Sequence, residues 1–128
     1  MTQQEIQERN KQIALMLGLK LLGKPYLGAY SVDTITHNTS FYHERMEGES
    51  WYVYPEYHSD WNWLMEAVDF IEKKGYSIDI HQNRAAIKDN FACNDKFEEI
   101  IKVSLSSKKE AVFIAVSDFA KFYNEGKL

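Results

Sequence analysis

The stretch His58–Tyr76, HSDWNWLMEAVDFIEKKGY, decides how the rest of the chain is read, because it has the pattern of one amphipathic helix with both ends marked. Ser59 or Asp60 offers a short side chain that accepts a hydrogen bond from a free backbone N–H of the first turn. Trp61, Leu64, Met65, Val68 and Ile71 recur at spacings of three and four, which gathers them on one face that must be buried. Lys73 and Lys74 put positive charge at the carboxyl end, and Gly75 suits the left-handed conformation that stops a helix. Trp63 falls away from the centre of that stripe, where it would cover a loop, line a groove or meet another chain.

Outward from this helix, Gln3 to about Leu22 reads as a first helix with Ile6, Ile13, Met16 and Leu17 on one side. Gly18 and Gly23 weaken it, and Pro25 is the expected stop. From Tyr26 to Tyr57 the residues become β-branched and aromatic: Tyr30, Val32 and Ile35, then Phe41 and Tyr42, then Trp51 to Tyr54. Two or three short strands are expected there, with a loop around Met46–Ser50. After Gly75, Tyr76, Ile78 and Ile80 alternate with Ser77, Asp79 and His81, the period of a strand with one buried face. Ala85 to Phe91 and Glu98 to Leu105 are the next candidate strands. Ser107-Lys108-Lys109-Glu110 has capping-box spacing, and Val112, Ala115, Val116, Phe119, Phe122 and Tyr123 make the stripe of a last core helix. The expected fold is α+β: a mainly antiparallel sheet packed with about three helices, in one domain spanning residues 1–128.

Composition narrows the function classes. With 128 residues the chain can bury one core. A net charge of −4, with acidic and basic residues mixed, argues against broad binding of nucleic acid through a cationic surface. Cys93 is the sole cysteine and cannot form an internal disulfide. With no leader pattern and no apolar run of membrane-spanning length, a cytoplasmic protein without a membrane partner is expected.

Asn10-Lys11-Gln12-Ile13-Ala14, His58-Ser59-Asp60-Trp61-Asn62-Trp63-Leu64-Met65, and Lys109-Glu110-Ala111-Val112 with Phe119-Ala120-Lys121-Phe122-Tyr123-Asn124 together resemble small, mostly uncharacterised phage and prophage proteins related to the phage ABA sandwich domain. The resemblance covers about forty residues. It implies a helix-sheet-helix sandwich and a mobile-element setting in a host cytoplasm, and it brings no catalytic residues.

Histidines 37, 43, 58 and 81 lack the paired spacing on a helix that zinc sites use, so no metal or other cofactor is expected. The His43-Glu44-Arg45 cluster with Glu47 and Glu49 reads as solvated charge rather than acid-base machinery. Cys93 reads as a small buried hydrophobe, and no catalytic residue is assigned. Aromatics carry more weight: Tyr42, Trp51, Tyr52, Tyr54, Tyr57, Trp61 and Trp63 are expected to divide between the core and an interface. The candidate ligand-binding residues are therefore Trp51, Tyr54, His58 and Trp63, with Arg45 and Arg84 as cations for a phosphate. The expected function is binding, as a phage-type accessory protein acting on a host or phage protein, with self-association into a homo-oligomer as an accompanying expectation. The alternative is an anti-defence protein that captures or hydrolyses a small nucleotide signal.

Overall fold

A computed structural model of the chain describes residues 1–24, 27–32, 44–45, 51–89, 98–104 and 107–128. The fold is α+β, with three helices and antiparallel strands among the described residues. Helix α1 spans Gln3–Met16, α2 Trp61–Lys73 and α3 Lys108–Asn124. The described strands divide between two sheets. Strands β1 (Lys20–Leu21), β2 (Tyr30–Val32), β3 (Glu44–Arg45) and β4 (Trp51–Val53) pair in the order β1-β2-β4-β3. Strands β5 (Tyr76–His81), β6 (Arg84–Asp89) and β7 (Glu98–Ser104) form a meander, with a register shift between Ile87 and Lys88. The strand expected from Ala85 thus begins one residue earlier. Strand expectations at Ile35, Phe41 and Tyr42, the Met46–Ser50 loop and Cys93 lie outside the described residues.

Helix ends follow local chemistry. Thr2, Asp60 and Ser107 cap α1, α2 and α3 through side-chain oxygens that accept from the N–H groups of Glu5, Asn62 and Glu110. Gly75 takes φ 99° and stops α2 as expected. Helix α1 does not run on to Pro25. Gly18, at φ 86°, ends it, and the Leu19 N–H reaches back to the Ala14 carbonyl at 3.0 Å. Lys20 and Leu21, expected within the last turns of that helix, pair with Ser31 and Tyr30 instead.

Packing is centred on α3, which lies against β5–β7 on one side and α1 on another. A helix enclosed this way is apolar over more than one stripe: Ala111, Phe113 and Ala120 are buried besides the expected Val112, Ala115, Val116 and Phe119, while Phe122 and Tyr123 are half-buried. Tyr76, Ile78 and Ile80 meet the core alongside Ala85 and Ile87. The opposite face of that sheet carries Ser77, Asp79, His81, Arg84 and Lys88. Lys88 Nζ lies 2.7 Å from Asp79 and holds that carboxyl below its usual pKa, mainly through the hydrogen bond.

The buried face of α2 is Trp63, Leu64, Ala67, Val68 and Ile71. This corrects the two tryptophans: Trp63, expected on a groove or interface, is 1% exposed, and Trp61, expected in the core stripe, is 36% exposed. The face is rotated toward Ala67, whose small side chain carries little weight in a count of large apolar residues. Trp63 meets Tyr57 edge to face at 5.3 Å.

At the β5–β6 turn, Gln82 adopts φ 37°, a left-handed conformation without glycine. That costs roughly 1–2 kcal/mol, and glycine would relieve it against roughly 0.4–1 kcal/mol of added unfolded-state entropy. Gln82→Gly should therefore stabilise the protein by about 0.5–1 kcal/mol, read as a higher urea midpoint at unchanged slope. A lowered midpoint would show that the glutamine side chain holds the turn.

Candidate functional site

A groove of about 600 Å³ lies between the first turns of α1, the β1–β2 hairpin and the segment after β4. From α1 come Gln3, Gln4, Gln7, Glu8 and Lys11; from the hairpin, Leu21, Leu27, Gly28 and Tyr30; from the last segment, Tyr54, Pro55 and His58. Leu21, Leu27 and Tyr54 are 56%, 66% and 45% exposed, so the groove has an apolar rim beside a wall of side-chain amides.

The sequence builds the third wall in a short space. Pro55 follows β4, and the Glu56 carbonyl then accepts from the N–H groups of both Ser59 and Asp60 at 3.1 Å, closing a turn just before the α2 cap. That turn directs Tyr57 into the core and leaves Tyr54 and His58 on the groove. Lys109 Nζ donates to the Ser59 carbonyl at 3.1 Å, tying the turn to the start of α3.

Asn10, on α1, fastens the turn from the other side. Its side chain is 5% exposed; its Oδ1 accepts from the Tyr57 N–H at 3.0 Å, and its amide nitrogen lies 2.9 Å from His58 Nδ1. The His58 ring also packs edge-on to Phe113 of α3, 6.0 Å between centroids. Nearby, Tyr30 lies buried on the groove floor. Burial, and secondarily the Glu8 carboxylate, raise its phenol above the ordinary value, so it stays neutral.

Of the residues expected at a ligand site, Tyr54 and His58 come together in this groove. Trp63 does not, being enclosed in the core. Arg84 is exposed on a different element, beside His81, Gln82 and Asn83 at the β5–β6 turn. Arg45 and Trp51 face each other in the backbone register of β3 and β4, and their side chains lie outside the described ones. Lys11 is the only cation among the described lining residues, and Glu8 accompanies it.

Asn10, Leu21, Leu27 and the three glutamines were not singled out from the sequence. Asn10 did carry a signal. It shares the side of α1 defined by Ile6 and Ile13, where a poor helix former on an apolar stripe calls for a hydrogen-bonding explanation.

A second hollow, between α1 and α3, is occupied by its own contacts: Arg9 Nη1 donates to Asp118 Oδ1 and Ser117 Oγ, both at 2.8 Å. Among the described residues no three His, Cys, Asp or Glu side chains converge to hold a metal ion, and no helix is long and apolar enough to cross a membrane.

Comparison with known proteins finds no matching family model, no matching curated protein and no matching solved structure.

Proposed function

We propose that the chain is a small binding protein of the phage accessory type, holding a segment of a host or phage protein in the groove between α1 and the β1–β2 hairpin. The observation that carries this reading is the apolar rim of Leu21, Leu27 and Tyr54 around a 600 Å³ groove walled by Gln3, Gln4 and Gln7. Exposed apolar side chains beside neutral hydrogen-bonding groups suit a peptide, which has both apolar side chains and paired donors and acceptors. A nucleotide needs its phosphates neutralised. Here Lys11 is accompanied by Glu8, and Arg84 sits on another element, so the groove favours the protein partner over the nucleotide. The phage setting rests on the resemblance of the three sequence segments described above.

Leu27→Asp tests the reading. At an exposed position the change should leave stability within about 0.5 kcal/mol, while a charge on the rim should abolish capture of whatever protein the wild type retains from host lysate. Equal capture by both forms would remove the groove from the interface. A mono-, di- or cyclic nucleotide that raises the melting temperature of the wild type but not of Leu27→Asp would favour the nucleotide reading instead. Sedimentation of both forms shows whether the partner is a second copy of the chain.

A further inference from the structure

The hydrogen-bonding role of His58 is fixed by its neighbours before any ligand arrives. The Tyr57 N–H can only donate, so the Asn10 atom 3.0 Å from it is the amide oxygen. The NH₂ of the same amide can also only donate. His58 Nδ1, 2.9 Å away, therefore accepts, and the ring proton sits on Nε2. Turning the Asn10 amide over would bring its NH₂ against the Tyr57 N–H, so the buried side chain has one workable orientation. Among the described residues nothing bonds to Nε2, and His58 is one of the residues lining the groove.

We propose that the His58 Nε2–H is the donor by which the groove grips its ligand, and that the group it grips is a neutral carbonyl oxygen of an extended peptide segment. This rests on the groove reading above. The arrangement is the reverse of an acid-base dyad. A carboxylate in the place of Asn10 would hold a proton on Nδ1 and leave the Nε2 lone pair to accept one; an amide that donates to Nδ1 does the opposite. His58 held this way binds an acceptor and does not abstract a proton, which sets the groove apart from a hydrolase site. A carbonyl fits better than an anion because Glu8 and Lys11 together leave the wall without net charge. The Gln3, Gln4 and Gln7 amides can pair with both N–H and C=O groups of a peptide backbone.

The test starts with nitrogen-15 NMR of the free, full-length protein, which should show His58 protonated at Nε2 and not at Nδ1. The protein is then titrated separately with N-acetyl-leucine N-methylamide, a neutral peptide mimic, and with inorganic phosphate. The expected result is a shift of the His58 ring resonances together with those of Leu27 and Tyr54 under the mimic, and none under phosphate. His58→Phe, which keeps a ring against Phe113, should weaken the mimic about three- to ten-fold, the worth of one hydrogen bond. His58→Gln, which can accept from Asn10 and still donate, should retain most of the affinity. A free protein protonated at Nδ1 would overturn the donor assignment. A response to phosphate alone would overturn the carbonyl. Shifts at Leu27 and Tyr54 without His58 would keep the groove as a binding site and overturn the role of the histidine. No response to either probe would overturn the peptide assignment as a whole.

Discussion

Trp63→Ala should destabilise the protein by about 3–5 kcal/mol, the usual cost of truncating a large buried aromatic. Its indole is 1% exposed, meets Tyr57 at 5.3 Å, and lies on the α2 face that Leu64, Ala67, Val68 and Ile71 also bury. The cost combines lost transfer free energy with a cavity that rigid neighbours fill poorly. Loss of the edge-to-face pair adds to it. Against a total stability of about 5–15 kcal/mol for a domain of this kind, one substitution would remove a large fraction. Trp61→Ala, two residues earlier and exposed, should cost less than about 1 kcal/mol. Urea unfolding of both variants separates the cases. A Trp63→Ala protein as stable as the wild type would mean that the indole belongs to a surface.

The second large effect is expected at Asn10, where alanine should cost about 2 kcal/mol although it is the better helix former. Asn10 Oδ1 is the acceptor for the Tyr57 N–H in a buried setting, and its amide nitrogen bonds His58. Removing it takes away both partners at once, and a buried group that loses its bond costs more than the bond contributed. Asn10→Leu restores bulk and apolarity without restoring an acceptor, so it should recover little. If leucine matched asparagine in stability, the site would be a packing position and the polar account would be wrong. Faster hydrogen exchange at the Tyr57 amide in both variants would locate the damage in the turn that presents His58.

Local chemistry made much of the fold legible. Asp60 and Gly75 bound α2, Ser107 caps α3, and alternation marks β5, because caps and period depend on residues a few positions apart. What was misread depended on distant partners. Leu19 to Leu22 continue an apolar helical pattern, and only the pairing of Lys20 and Leu21 with Ser31 and Tyr30 makes them a strand. The tryptophans exchanged roles because burial on α2 is set by what packs against it, and the small Ala67 at the centre of that face adds little to a hydrophobic count. The groove is assembled from residues 3–11, Leu21 with residues 27–30, and residues 54–58, whose sequence patterns carry no sign that they meet. Tyr54 was found as one of a set of aromatics and His58 as the residue leading into α2. Asn10, which fastens their turn, is 47 residues from Tyr57 in the chain, and its partner became visible only through the contact.

The ties between α1 and α3 also bear on when this molecule becomes competent. Arg9 finds Ser117 and Asp118 more than a hundred residues later, and Asn124 Nδ2 donates to the Gln12 carbonyl across a separation of 112. The helix that forms one wall of the groove is thus made well before the helix that secures it. At elongation rates of about 5–20 residues per second, roughly 5–20 s pass between the appearance of Gln12 and that of Asn124 on the ribosome. Throughout that interval α1 is without its docking surface on α3, and contacts of such long range form late. The groove wall formed by α1 therefore takes its final, docked form only after α3 has been synthesised.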